Sequence, residues 1–166
     1  MIKKINSFKL KNLNGFSLIE VMVVVVILGL IVLGLVTFFT GGARSWIAGQ
    51  RQLEAQRNAR QAIDRMVREI REGNSIASSS NTTSITINYP ALFGKSAVTY
   101  SFSGNIINRD AIPLINNVKT LNFSYPEAPI DSSKVHILLE VDVDNDNNPD
   151  ITLNTDVNLR NHGLGA

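Results

Sequence analysis

One carboxylate, that of Glu20, stands inside a long run of apolar residues near the start of the chain. The run extends from Phe16 to Phe39 and holds no other ionisable side chain. An ionisable group inside a membrane-spanning segment costs at least about 2.5 kcal/mol unless a partner compensates it, and such groups are functional by default. The sequence therefore predicts a functional role for Glu20.

A second group of carboxylates occupies relative positions 1, 3, 5 and 9 of one short segment. Its members are Asp142, Asp144, Asp146 and Asp150. The spacing resembles that of acidic calcium loops, with Asn147 where glycine is usual, and alternate oxygen ligands suit a hard cation that takes six to eight oxygens. Asp and Asn are also ordinary turn residues, so a hairpin tip explains the same segment. Leu153 excludes a standard EF-hand, and both interpretations stay open. No cofactor other than calcium is suggested, and none is required.

Motifs of catalysis are missing from the sequence. The chain has no cysteine, so it offers neither a thiol nucleophile nor a disulfide. It also lacks a nucleophile elbow, a Walker loop and a glycine-rich dinucleotide turn. His136 and His162 do not have the spacing of a metal-binding pair and are expected at the surface. We predict that the protein is not an enzyme.

The apolar run is long enough to cross a membrane once. At about 1.5 Å per residue, residues 16–39 give a helix of about 36 Å, against a hydrocarbon core of about 30 Å. The preceding residues carry four lysines and no acid, which keeps them on the cytoplasmic side. We therefore expect a single-pass inner-membrane protein whose C-terminal part is extracytoplasmic.

Residues 40–73 are predicted to extend this helix beyond an interruption at Gly41-Gly42. Apolar residues recur there at helical spacing, and Asp64 with Arg68 and Arg65 with Glu69 can form ion pairs. Residues 74–166 alternate apolar and polar positions between turn residues, as strands do. The predicted strands are 84–88, 97–102, 105–108, 118–125, 135–143 and 151–159. The fold class is therefore α+β, with the helix packed on an antiparallel sheet.

The N-terminal region combines a lysine-rich leader with Gly15-Phe16, Ser17, Leu18-Ile19-Glu20 and the apolar helix. Together these features resemble the class III signal of type IV prepilins and type II secretion pseudopilins. The resemblance implies a pilin-like fold and a leader, residues 1–15, that a prepilin peptidase removes between Gly15 and Phe16. It also implies N-methylation of Phe16. In assembly, Glu20 would neutralise the new α-ammonium group of Phe16 on a neighbouring subunit.

Residues 60–71 are similar to the minor group that includes pseudopilin J and minor pilin W. The implied function is that of a minor pilin or pseudopilin that initiates, caps or joins a type IV pilus or a type II secretion pseudopilus. The implied partners are the prepilin peptidase, other pilins, the inner-membrane assembly platform and membrane lipid. An alternative is a binding module at the filament tip that serves adhesion or DNA uptake.

Removal of the leader reverses the sign of the net charge. The whole chain has 16 basic and 14 acidic residues, whereas 12 basic and 14 acidic residues remain after the four lysines leave. The formal charge thus changes from +2 to −2. Bulk charge gives no support to nucleic-acid binding, and we expect none.

Overall fold

The computed structural model describes residues 15–129 and 131–163. The chain divides into two units, Met1–Trp46 and Ile47–Ala166. A single helix, α1 (Leu18–Glu72), contributes residues to both. The predicted leader falls on residues 1–15, and all of these except Gly15 lie outside the described residues. The predicted division into domains at residues 39 and 73 stays a prediction.

In the first unit, α1 is apolar on every side. Its large apolar side chains between Leu18 and Phe39 are 48 to 79% exposed, and none is buried. The hydroxyl of Thr37 donates a hydrogen bond to the Leu33 carbonyl (2.8 Å), so this polar group is satisfied within the helix. Among the described residues, α1 is the one helix whose length and composition suit a membrane crossing.

The predicted long helix is confirmed, and Gly41-Gly42 does not break it. α1 runs through both glycines without a change of secondary structure. A single glycine in a helix costs only about 1 kcal/mol relative to alanine, so neighbouring residues can carry the helix through such positions.

In the second unit, the predicted apolar stripe of α1 is buried. The buried members are Ala59, Ala62, Ile63, Met66 and Ile70. They belong to one hydrophobic core with residues of the strands. Of the two predicted ion pairs, Arg65 and Glu69 form one (3.2 Å), whereas Asp64 and Arg68 do not. The helix therefore packs on the strands through a narrow face.

In the described part of the chain, eight strands follow the helix, with a short 3-10 turn at Ala91–Phe93. They are β1 (Ser75–Ile76), β2 (Ser84–Asn88), β3 (Val98–Ser103), β4 (Ile106–Arg109), β5 (Ile112–Ile115), β6 (Val118–Ser124), β7 (Lys134–Val141) and β8 (Ile151–Asn158). Consecutive strands pair from β1 to β5 and from β6 to β8, and every one of these pairings is antiparallel. The predicted α+β class is confirmed, and the layout is consistent with a pilin-like fold.

The strands form two sheets instead of the single predicted sheet. One sheet has the order β1-β2-β3-β4-β5 and the other β6-β7-β8. The six predicted strands correspond to β2, β3, β4, β6, β7 and β8. The prediction missed β1, which has two residues, and β5, which contains Pro113. Proline lacks the N–H that a central strand needs, and β5 accommodates it because it is an edge strand.

The helix ends where a glycine is required by packing. Gly73 follows the last residue of α1 and is buried. A Cβ atom at this position would lie 2.6 Å from Cγ2 of Ile87 on β2. The predicted stop at Gly73-Asn74 is confirmed, and its physical reason is the close approach of the helix end to the sheet.

Candidate processing and assembly site

The predicted cleavage site lies just before the first turn of α1. Gly15, Phe16 and Ser17 have no regular secondary structure. The backbone N–H groups of Glu20 and Val21 donate to the Ser17 carbonyl at 3.0 and 3.2 Å, which begins the helix. A scissile bond between Gly15 and Phe16 would therefore lie outside the helix, in chain without regular secondary structure.

Glu20 is the acidic residue of the first helical turn. Unpaired N–H groups at a helix N-terminus favour negative charge by about 0.3–1 kcal/mol. This contribution is smaller than the cost of at least about 2.5 kcal/mol for a charge within lipid. The position of Glu20 thus lowers the cost of its charge and does not remove it.

The Glu20 carboxylate is exposed and makes no hydrogen bond or ion pair within the part of the chain that the structure describes. Phe16 and Ile19 beside it are 80 and 66% exposed. The surroundings are apolar and open, so another chain could approach this carboxylate. The roles of Gly15, Phe16 and Glu20 stay predictions.

The acidic segment forms the connection between β7 and β8, and we call residues 142–150 the acidic loop. Carboxylate oxygens of Asp142, Asp144 and Asp146 lie within 4.8 Å of one another. Asp150 is not part of this group, and its Oδ2 accepts a hydrogen bond from the Val143 N–H (2.7 Å). Three of the four predicted ligands therefore converge. Their oxygens are of the kind that calcium prefers, and calcium binding stays a prediction.

Backbone conformation within the acidic loop agrees with the glycine-like position of Asn147. Asn147 has φ of 73° and Asn145 has φ of 60°, both in the left-handed region. Their N–H groups donate to the two oxygens of Asp142 at 2.9 and 2.7 Å. These bonds also satisfy a tight turn, so the hairpin interpretation accounts for them as well.

Two carboxyl groups of the acidic loop have pKa values that differ from the ordinary value. A backbone hydrogen bond from Asp146 lowers the pKa of Asp144, but desolvation and the nearby carboxylates of Asp146, Asp150 and Asp142 outweigh it and raise the pKa above the ordinary value. The backbone and side-chain hydrogen bonds of Asn148 hold the pKa of Asp146 below its ordinary value. The loop therefore carries concentrated negative charge.

A polar cluster that the sequence analysis missed joins α1 to the first sheet. Glu69 on α1 accepts hydrogen bonds from the hydroxyl of Tyr100 on β3 (2.7 Å) and from Nε of Arg109 on β4 (3.1 Å). Burial raises the pKa of Glu69, but the hydrogen bonds of Tyr100, Arg109 and Arg65 outweigh it, and the pKa lies below 4.5. The one available signal was Tyr100 itself, since a buried tyrosine hydroxyl needs a partner.

The two histidines lie at the surface, as predicted. His136 on β7 is half-exposed, and its Nδ1 lies 2.7 Å from Oδ1 of Asp156 on β8. His162 is exposed near the end of the described residues. The two side chains do not form a metal-binding pair with each other.

Comparison with protein families gives one finding. Residues 10–36 match the family model described as the prokaryotic N-terminal methylation motif. This motif implies processing by a prepilin peptidase and assembly with other pilins, and with the apolar part of α1 it fits a single-pass membrane protein. Neither the comparison with curated proteins nor that with solved structures gives a match. The chain thus carries a prepilin-type N-terminal signal of the pilin and pseudopilin kind.

Proposed function

We propose that this protein is a non-enzymatic minor pilin or pseudopilin that initiates, caps or joins a type IV pilus or a type II secretion pseudopilus. The observation that carries the proposal is the methylation motif at residues 10–36, together with an unpaired carboxylate in the first turn of an exposed apolar helix. The α+β layout supports it. The resemblance of residues 60–71 to pseudopilin J and minor pilin W supports a minor role.

In the proposed mechanism, a prepilin peptidase cleaves after Gly15 and the new amino group of Phe16 is methylated. Glycine suits the position before the cut, since the missing Cβ lets the backbone enter a narrow protease cleft. A methylated amine keeps its positive charge. Each mature subunit then carries one cation at Phe16 and one anion at Glu20, both at the same end of an apolar helix.

Assembly follows from the cost of these two charges in lipid. Each is expensive alone, and the two become tolerable as a pair. Apolar contacts between helices discriminate little in lipid, because the lipid tails are equally apolar. A pairing of Glu20 with Phe16 of the neighbouring subunit would form at one axial offset only. The pair would therefore set the register of each incoming helix.

The proposal places residues 74–166 outside the inner membrane, with the assembly platform, sibling pilins and lipid as partners. The experiment that tests it is incorporation of the Glu20→Gln variant into filaments in the native host. Loss of one partner of a buried ion pair costs about 3–5 kcal/mol, so we expect incorporation to fall at least tenfold. Glutamine keeps the size and polarity of the side chain and removes only the charge.

Glu54→Gln is the matched control. Glu54 is an exposed carboxylate of the same helix, beyond the apolar run, and has no ion pair among the described residues. We expect its substitution to leave incorporation unchanged. Equal incorporation of the Glu20→Gln variant and the unaltered protein would contradict the proposal.

The alternative of a tip-displayed binding module makes a different prediction. A binding module for DNA or a charged surface would bind its target in a salt-dependent manner, which a purely structural subunit would not do. Binding that weakens steeply between low and high salt, measured with the full chain, would support the alternative.

A further inference from the structure

The side of α1 opposite the buried stripe carries a row of four exposed arginines. We call Arg57, Arg60, Arg68 and Arg71 the arginine ridge. At 3.6 residues per turn they fall within an arc of about 80°, centred roughly opposite Met66. Met66 is fully buried in the core, so the arginine ridge faces away from it. Asp64 is the one acidic residue within this arc.

The arginine ridge has no partner within the described residues. None of its four guanidinium groups makes an ion pair or a hydrogen bond there, whereas Arg65 on a neighbouring face binds Glu69. Like charges three or four residues apart destabilise a helix by about 0.2–0.5 kcal/mol per pair. Among the described residues, no ion pair ties the ridge to the rest of the chain, so a second molecule can compensate its charge.

The same chain carries a surface of opposite charge, the acidic loop. Its aspartates form no salt bridge among the described residues. Lys119 is a nearby cation, but it donates to the backbone carbonyl of Asn147 and forms no salt bridge with a carboxylate. Residues 144–150 are all exposed. The second unit therefore presents one uncompensated cationic surface and one uncompensated anionic surface.

These two surfaces lie at different heights along α1. Val143, at the base of the acidic loop, lines a cleft with Glu54 and Asn58 of the helix. The middle of the arginine ridge is Asp64, about ten residues beyond Glu54. At 1.5 Å per residue the offset is about 15 Å along the helix axis. Two parallel copies would bring opposite charges together when one is displaced axially by about this distance.

We propose that the arginine ridge of one copy docks on the acidic loop of a second copy of this chain, displaced along the helix axis. The contact uses two different patches, so it is head-to-tail and can repeat without closing, as a filament requires. Charge complementarity within the one chain argues for a second copy as the occupant. The inference rests on the proposed function in the form in which this subunit joins the filament in more than one copy, because such a filament supplies parallel, staggered helices of this chain.

The absence of cysteine allows a direct test with introduced thiols. Two differently tagged full-length copies are expressed together, one with Gln61→Cys beside the ridge and the other with Asn148→Cys in the acidic loop. Both residues are exposed, and neither substitution removes a charge. Oxidation in the presence of a chelator should link the two tagged copies. Ser133→Cys, also exposed and outside the acidic loop, replaces Asn148→Cys in the control and should give at least tenfold less product.

Charge reversal then tests whether the contact is electrostatic. Arg60→Glu with Arg71→Glu in the first copy, or Asp144→Arg with Asp146→Arg in the second, should each reduce cross-linking at least tenfold. The two reversals together should restore it, which a folding defect would not do. Failure to restore it, equal cross-linking with the control, or linkage of Gln61→Cys to a different protein would overturn the inference.

Processing and incorporation are scored on the same samples. Filaments that contain correctly processed protein but give no cross-link would overturn only this inference. Absence of the unaltered protein from filaments would instead overturn the proposed function.

Discussion

Met22 and Met66 lie on the same α-helix, yet Met22 is 59% exposed and Met66 is fully buried. The same contrast holds along the two parts of α1. The first part has apolar side chains all round and buries none of them, whereas the second buries a narrow stripe and exposes charged residues. A helix that is apolar on every side suits lipid or a protein core, and an amphipathic helix suits a sheet on one side and water on the other.

This contrast shows where each part of α1 obtains its stability. The second part is held by contacts within the chain, which the core residues and the Glu69 cluster supply. The first part has no such contacts among the described residues, and so it depends on lipid or on other chains. Matched substitutions at positions with and without contacts within the chain should therefore have different effects, and four comparisons of this kind follow.

The largest difference is expected between Met66→Ala and Met22→Ala. Truncation of a buried methionine removes apolar contacts and leaves a cavity, at a cost of about 2–5 kcal/mol. We expect that loss for Met66→Ala and no change in the unfolding of the second unit for Met22→Ala. Chemical denaturation of the full chain in detergent micelles measures both. Equal destabilisation by the two substitutions would contradict the predicted difference between the two parts of α1.

A second comparison uses glycines. Gly73→Ala would place Cβ against Ile87, and overpacking of this kind costs about 1–3 kcal/mol. Gly49 lies within α1 with open space around it, so Gly49→Ala should instead stabilise by up to about 1 kcal/mol. Opposite signs in thermal unfolding are the expected result. The account fails here if Gly73→Ala is as well tolerated as Gly49→Ala.

A third comparison uses the carboxylates Glu69 and Glu54. Glu69→Gln removes the negative charge and one of the two acceptor oxygens that serve Tyr100 and Arg109, at a cost of about 1–3 kcal/mol. Glu54→Gln should change stability little. Measurement of unfolding at pH 7 distinguishes the two.

The effect of Glu69 should also depend on pH. The pKa of Glu69 in the folded protein lies below 4.5, its ordinary value. Its contribution is therefore complete above pH 4.5 and is lost as the pH falls through the folded-state pKa. The difference between Glu69→Gln and the unaltered protein should shrink in acid. A difference that grew in acid would contradict the assigned direction.

The smallest effect concerns the acidic loop and calcium. A ligand at ten times its dissociation constant stabilises the folded state by about 1.4 kcal/mol. We expect calcium to raise the unfolding midpoint and a chelator to reverse the change. Asp146→Asn should abolish the response, and Asp131→Asn, at an exposed position outside the loop, should keep it. An unchanged midpoint with calcium and with chelator would remove the calcium hypothesis.

Local patterns predicted most of the fold. The buried stripe of α1 follows from the 3.6-residue period, and the alternation along β7 follows from the two-residue period. The division into two sheets was not predictable in this way, because no local period shows that the consecutive strands β5 and β6 do not pair. β5 was missed because Pro113 is locally a strand breaker, and only its place at a sheet edge makes it acceptable.

The candidate site shows the same limit. Glu20 stands out in sequence because a charge is rare in an apolar run, and no tertiary contact is needed to notice it. By contrast, Glu69 and Arg109 are 40 residues apart, and no local period relates them. Asp150 fits a calcium-loop spacing, yet its side chain binds the Val143 N–H. Spacing predicts which residues share a loop and does not predict which direction each side chain takes.

Mass spectrometry of the mature protein purified from its native membrane tests the central claim most directly. The account predicts an N-terminus at Phe16 that carries a methyl group on its α-amine, with residues 1–15 removed. An intact leader, or an amino terminus at any residue other than Phe16, would contradict it.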